Sequence, residues 1–308
     1  MIKKILVTGS LGQVGSYLCE ELLANNLEII GLDNEVTRCH NLPDKLEQIT
    51  IKGDICDEIM VNKIMKKVDA VVHCAAQTSV EKSLKNPKYD LKNNVIGTNT
   101  LIDAATRNKS IKCFVYISSA AIYGNPIKLP IDEKHQQSPL SPYGVSKLTA
   151  EKYVDMYRRI FKIPSVVIRP FNIYSVRADP KSPYSGVITK FIDRVKSNKP
   201  PVIEGDGTQT RDFIHAKDVV RMIRMILENK ETIGEIFNSG CGKPISINEL
   251  ASTIIKTSGK NLNPTYKTER KGDIKHSFSN MKKATKILNF KPNIELEEGL
   301  KEIVNCKK

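Results

Sequence analysis

Nowhere in the 308 residues does an apolar run approach the length needed to span a membrane. The opening Met-Ile-Lys-Lys leads into a four-residue apolar stretch and then glycines, too short for a secretory leader. The seven cysteines (Cys19, Cys39, Cys56, Cys74, Cys113, Cys241 and Cys306) are scattered, with no Cys-x-x-Cys pair. That spacing argues against a zinc site, so no metal is expected, and it fits reduced thiols in a cytoplasmic protein. There is no internal repeat, no low-complexity segment and no long basic run. The last absence governs how the net charge of +14 is read. Lysines spread along the chain describe a solvated surface rather than a nucleic-acid footprint, although the excess also favours an anionic ligand such as a nucleotide diphosphate.

What is present is ordinary in bulk and specific in pattern. Apolar residues make up 40% and charged residues 27%, as in soluble globular proteins. The length suits one large α/β domain or two smaller ones. The stretch Lys3 to Thr8 is a short strand-like run, followed by Thr8-Gly9-Ser10-Leu11-Gly12-Gln13-Val14-Gly15 and a helical pattern at Leu18, Leu22 and Leu23. Strand, glycine turn and helix form the context of a dinucleotide fingerprint. Gly9 permits the tight turn, Gly12 lets the backbone approach a pyrophosphate, and Gly15 lets the helix sit close to the strand. Gln13 and Val14 open the helix, whose first amides face the phosphates. The next strand runs from Leu27 to Leu32 and ends at Asp33-Asn34. An acid about 20 residues beyond the glycines accepts ribose hydroxyls and repels a 2′-phosphate, which points to NAD over NADP.

The alternation continues. Gln48 to Lys52 reads as a strand before Gly53-Asp54-Ile55, and Ala70 to His73 as a strand before Cys74-Ala75-Ala76-Gln77. Tyr89 to Asn108 reads as one long helix, Cys113 to Ile117 as a strand ending in Ser118-Ser119-Ala120-Ala121, Tyr143 to Phe161 as a helix, and Ser165 to Ile168 as a sixth strand. This rhythm predicts a Rossmann-type, doubly wound parallel sheet, with ligands at the carboxyl ends of the strands. After Arg169 proline, glycine and polar clusters break it, and helical patterns return at 187–196, 218–227, 247–257 and 280–288. The expected organisation is an NAD-binding domain from 1–169 plus about 212–238. A smaller C-terminal α/β substrate-binding lobe covers 170–211 and 239–308.

Tyr143 and Lys147 stand four residues apart on one expected helical face. A free tyrosine titrates near 10, and bringing it to about 7 takes roughly 4 kcal/mol. A close lysine and a cofactor cation could supply that. Ser119, at a strand end beside the same cleft, is suited to hydrogen-bond a reacting oxygen, or simply to cap the turn.

Together these motifs resemble the extended short-chain dehydrogenase/reductase family, most closely its UDP-sugar 4-epimerase branch. The resemblance runs nearly end to end. It rests on Thr8-Gly9-x-x-Gly12-x-x-Gly15, Asp33, Gly53-Asp54-Ile55, His73-x-Ala75-Ala76, Asn94-Val95-x-Gly97-Thr98, Ser118-Ser119-x-x-x-Tyr123-Gly124 and Tyr143-x-x-x-Lys147. Later matches are Arg169-Pro170-Phe171-Asn172, Arg211-Asp212-Phe213-Ile214-His215 and Arg270-x-Gly272-Asp273. It implies an NAD cofactor bound by the glycine turn, Asp33, Asn34, Asp54, Ile55, Ala75, Ala76, Asn94, Tyr143 and Lys147. It also implies a catalytic set of Ser119, Tyr143 and Lys147.

For the substrate, a UDP-sugar, it implies contacts from Ser119, Asn172, Arg211, Arg270 and Asp273. Ser277, seven residues beyond Arg270, matches a position where a small residue admits an N-acetyl group. Related dehydratases carry an acid after the catalytic hydroxyl residue. Ala120 and Ala121 stand there instead and cannot transfer protons, so epimerisation is favoured over 4,6-dehydration. Departures from the family pattern are Gln13-Val14 in the glycine loop, Ser175-Val176 after Tyr174, and Gln77 where some epimerases carry lysine. The resemblance further implies a homodimer through a four-helix bundle of the two long helices. Alternatives are a UDP-glucuronate or UDP-pentose epimerase, a nucleotide-sugar reductase, or a catalytically silent NAD-binding regulator.

Overall fold

The computed structural model describes residues 2–40, 42–178, 186–269 and 274–306. The first part alternates strand and helix. It comprises β1 (Lys4–Thr8), α1 (Gln13–Ala24), β2 (Glu28–Asp33), α2 (Asp44–Gln48), β3 (Thr50–Lys52), α3 (Glu58–Met65) and β4 (Ala70–His73). Then come α4 (Val80–Lys85), α5 (Pro87–Leu91), a π-helical turn (Lys92–Ile96), α6 (Gly97–Thr106), β5 (Cys113–Ile117), α7 (Pro142–Phe161) and β6 (Ser165–Pro170). The second part holds β7 (Asn172–Tyr174), α8 (Val187–Lys196), β8 (Val202–Glu204), β9 (Thr210–Arg211), β10 (Phe213–His215), α9 (Ala216–Glu228) and β11 (Ile236–Ser239). It closes with β12 (Ile245–Ser246), α10 (Ile247–Ser258), β13 (Thr265–Lys267), β14 (His276–Ser277), α11 (Lys282–Leu288) and α12 (Leu296–Asn305).

The main sheet has seven strands in the order β11-β6-β5-β4-β1-β2-β3, and every pairing in it is parallel. From β1 the chain winds outward to β3, then crosses to β4 and winds the other way. The switch point therefore lies between β1 and β4, where doubly wound sheets bind ligands. The strands are apolar throughout because both faces are covered. Alternate side chains still part cleanly. Ile5, Val7, Val72, Val115, Val166 and Ile168 join one core, whereas Leu6, Val71, Phe114, Tyr116 and Val167 join the other.

Residues 212–238 carry α9, which packs on α1, and β11, which pairs with β6. Beyond the sheet, Ile188, Phe191, Leu250, Ile254 and Leu300 of α8, α10 and α12 form a separate core. Small strand pairs flank it: β8 with β13, and β9 between β12 and β14.

Several boundaries depart from the sequence reading. Gln48 ends a helix, not a strand; Asp44 and Glu47 favour that short helix by lying in its first turn. The helix expected over Tyr89–Asn108 starts at Pro87, where Asn86 Oδ1 accepts from Tyr89 N at 3.0 Å, and it is interrupted by the π turn. The last of the expected helices starts at Lys282, because Asn280 Oδ1 caps Lys282 N at 3.0 Å.

Candidate active site

Just beyond β1 and β4 the two backbones come into close contact. Gly9 has φ +68°, and a Cβ there would stand 2.8 Å from Ala75 N. A Cβ on Gly15 would stand 2.0 Å from Gly9 O, so only glycine lets α1 approach the turn. Gly12 is the N-cap of α1 and brings no side-chain acceptor to its first-turn amides. Gln13 donates from Nε2 to Ser175 Oγ at 3.0 Å, and Val14 packs into the core below. Two of the three departures from the family pattern, Gln13 and Ser175, are thus partners of one another.

Asp33, buried at the end of β2, accepts from Leu11 N (2.9 Å) and Glu35 N (2.7 Å). Its carboxylate faces the glycine turn, and Gly53 N donates to its carbonyl at 2.9 Å. Exposed Asn34 caps Val36 N, Asp54 caps Cys56 N at 2.8 Å, and Ile55 is buried. Ala75 N donates to Thr8 Oγ1 at 3.2 Å. A side-chain-free cradle, a helix start without a side-chain cap, and a fixed acid fit a dinucleotide with a free 2′-hydroxyl.

Asn94 is buried and fully committed within the protein. Its Oδ1 accepts from Gln77 N, while Nδ2 donates to Gln77 O (2.9 Å), Asp90 Oδ1 (3.2 Å) and Ser146 Oγ (3.0 Å). It clamps the turn after β4 against α7. Buried His73 bridges Thr8 Oγ1 (2.8 Å) and Thr98 Oγ1 (2.9 Å), and burial holds its pKa down to about 3. It is a neutral strut.

Ser119 follows β5 and caps a short 3-10 turn, Ala120–Ile122, accepting from Ala121 N at 3.1 Å. Helix α7 begins directly on that turn. Ser141 Oγ caps Gly144 N at 3.1 Å, Pro142 fills the first helical position, and a Cβ on Gly144 would stand 2.8 Å from Ala121 O. This close seat brings Tyr143 against Ser119. Burial raises the Tyr143 pKa above 10, the hydrogen bond with Ser119 lowers it, and the Asp90 charge raises it. Tyr143 therefore rests as a neutral phenol.

Lys147 is buried, donates to Ile117 O at 2.5 Å and lies 4.5 Å from the Tyr116 ring centroid. Burial lowers its pKa to about 8, which leaves it charged at neutral pH. The ammonium is thus anchored to the end of β5, whereas the charge that acts on the Tyr143 phenol is that of Asp90.

Of the substrate positions, Arg211 and Ser277 are paired across β9 and β14. Asn172 donates from Nδ2 to Asp212 O at 2.9 Å. Arg270 and Asp273 lie outside the described residues. The sequence reading placed Asp212 in a motif but gave it no role; it is fully buried. It accepts from Cys241 N (2.7 Å), Gly242 N (2.9 Å), Ser279 N (3.0 Å) and Ser279 Oγ (2.5 Å), and so fixes the loops beside Arg211. The same reading passed over Asp90 and Ser146, and took Gln77 only as a departure from the family pattern. Their signal was a helix-face spacing: Asp90 and Asn94 are four apart.

A glycine cradle and an acid at the end of β2, with a Ser/Tyr/Lys set on the same doubly wound sheet, fit a dinucleotide with acid–base groups beside it. The chain belongs to the NAD dependent epimerase/dehydratase family, which it matches over residues 5–240. NAD is accordingly its cofactor. It is 40% identical over 306 residues to a putative UDP-glucose 4-epimerase of Methanocaldococcus jannaschii, covering 99% of this chain and 98% of that one. The solved UDP-glucose 4-epimerase of Thermotoga maritima, with UDP-glucose, superposes with TM-score 0.93 at 34% identity, covering 98% and 97%. A UDP-N-acetylglucosamine 4-epimerase of Methanobrevibacter ruminantium, solved with UDP-N-acetylmuramic acid, gives TM-score 0.93 at 33% identity, with the same coverage.

Proposed function

We propose that this protein is a UDP-sugar 4-epimerase acting on UDP-glucose and UDP-galactose, and that it also admits their N-acetyl forms. The observation that carries the reading is the seating of Tyr143 against Ser119 on a turn whose next two side chains are methyl groups. NAD, when bound, supplies the acceptor and donor for a hydride at the sugar C4. Ser119 holds the C4 oxygen, and Tyr143 as phenolate removes its proton, leaving a 4-keto sugar. Return of the same proton from Tyr143, with hydride delivery to the opposite face, gives the epimer. Ala120 and Ala121 offer no second proton carrier, so elimination of water is not served.

Lys147 stays charged at neutral pH, and the positive charge of the cofactor, when bound, offsets the burial that disfavours phenolate. Arg211 binds the substrate diphosphate through its planar fork, with Asn172 beside Asp212. Arg270 and Asp273 complete that arm in the family pattern. Ser277, opposite Arg211, leaves room for an N-acetyl group. Two further expectations are part of the proposal: a homodimer, and residues 170–211 and 239–308 as the substrate lobe.

Incubating the purified protein with UDP-glucose, UDP-galactose, UDP-glucuronate and the N-acetyl forms, then resolving products by anion exchange, tests the substrate. Interconversion without net NADH consumption is expected. Net consumption would indicate a reductase, and turnover of UDP-glucose without UDP-N-acetylglucosamine would overturn the role given to Ser277. Tyr143→Phe should lower kcat by about 10²–10⁴-fold while the bound cofactor is retained.

A further inference from the structure

Asp90 is 1% exposed on α5, and the proposed mechanism gives it no task. Its Oδ1 accepts from Gln77 Nε2 (2.6 Å) and Asn94 Nδ2 (3.2 Å), while Oδ2 has no hydrogen-bond partner among the described residues. The Asn94 amide that binds Asp90 also donates to Ser146 Oγ at 3.0 Å, which fixes the carboxylate beside the turn of α7 that carries Lys147. Both partners of Oδ1 are neutral amides, so this buried carboxylate is not balanced by them.

Lys147 has the complementary problem. It is 3% exposed, and the Ile117 carbonyl and Tyr116 ring that hold it are uncharged. A buried ammonium is costly without an anion nearby. Besides Asp90 on α5, the titratable groups around it lie on β4, the residue after it, β5 and α7. On β4 and the residue after it, burial lowers His73 to about 3 and raises Cys74 to about 12. On β5, burial holds Tyr116 well above 10, and on α7 it raises Tyr143. All four are neutral at pH 7. Glu151, one turn further along α7, is bound by both Nε and Nη2 of buried Arg169 and is already neutralised. Of the two described carboxylates that act to keep Lys147 protonated, Asp90 and Glu151, Asp90 is the one with no cation bound to it among the described residues.

We propose that Asp90 is a positioning residue: its carboxylate is the buried counter-ion of Lys147, held in place by Gln77 and Asn94. The pairing has two effects of opposite use. It keeps Lys147 charged in a site that would otherwise strip its proton. It also opposes ionisation of Tyr143, so the phenolate forms only once further positive charge arrives. This couples the acid-base group to a loaded site.

The pairing itself is tested without reference to turnover. Asp90→Asn keeps an acceptor for Gln77 and Asn94 but removes the charge. Asp90→Asn and Lys147→Met should each lower the denaturation midpoint of the as-purified full-length protein. The double variant should melt above Asp90→Asn, because no unpaired charge remains. If Asp90→Asn is insoluble, the double variant should recover solubility. Additive losses, or a double variant no more soluble than Asp90→Asn, overturn the proposal.

A second readout rests on the proposed epimerase activity. The pH profile of kcat with UDP-glucose should shift by about one unit to lower pH on both limbs in Asp90→Asn. Asp90→Glu should return it toward wild type. An unshifted profile also overturns the proposal. A wild-type protein without epimerase activity would sink the reading of function, yet the unfolding cycle would still decide Asp90.

Discussion

At the scale of single residues, burial governs the chemistry more than any pairwise contact. It pushes Tyr143 up, Lys147 down and His73 down, each toward its neutral form. For His73 this has a measurable consequence. The unfolded chain takes up its proton near pH 6.5, whereas the folded chain resists to about 3. Between those values the unfolded state binds more protons, so this residue makes stability fall as pH drops. From pH 6.5 to about 5 the loss is about 2 kcal/mol, at about 1.36 kcal/mol per unit. Urea unfolding at pH 7 and pH 5 measures it. His73→Gln should be less stable at pH 7, for want of the same fit between Thr8 and Thr98, but should show a flatter dependence on pH. Equal slopes for the two proteins would show that the proton on His73 is not what the acid acts on.

At the scale of elements, the catalytic geometry depends on how α7 starts. The helix is seated by the missing side chain of Gly144 as much as by its Ser141 cap. Gly144→Ala should push Tyr143 off Ser119. We expect kcat to fall by roughly tenfold or more, in keeping with the sensitivity of catalysis to displacements near 1 Å. A cooperative unfolding transition should be kept, and unchanged kcat would show that the seat has slack. This level also shows what could be read from the chain. The glycine turn, Asp33 and the strand ends were legible because apolar runs stopped by glycine or serine leave few alternatives. Tyr143 and Lys147 were legible as a spacing. Gly144 between them was not, since its role is set by Ala121, a residue of another segment. The π turn was equally hidden: one extra residue per turn shifts the register but leaves apolar residues on both sides of it. Helix α12, with Leu296, Leu300 and Ile303 on one face, was present in the pattern and was missed.

At the scale of the molecule, the main sheet and the later segments are joined by a few partly buried polar ties. Arg177 binds Glu20 of α1 at 2.7 Å, Ser175 receives Gln13, and Asp212 gathers the loops at Cys241 and Ser279. None needs a second chain. A second chain is suggested by a different surface. Leu91, Ile96, Tyr153 and Ile160 are all exposed, on the α5–π segment and on α7, which pack against each other. Single exposed apolar residues are unremarkable, but several on two adjoining helices point to an interaction face. A second copy meeting it would bury both pairs of helices as a four-helix bundle. Light scattering should then give the wild-type protein twice the 34.5 kDa of one chain. Tyr153→Arg with Ile160→Arg, one above the other on α7, should give a single-chain mass. Because both side chains are exposed in the single chain, each change should alter its own stability by only about 0.5 kcal/mol. A wild-type mass of one chain would refute the dimer. A double variant that remains a dimer would place the interface on another face.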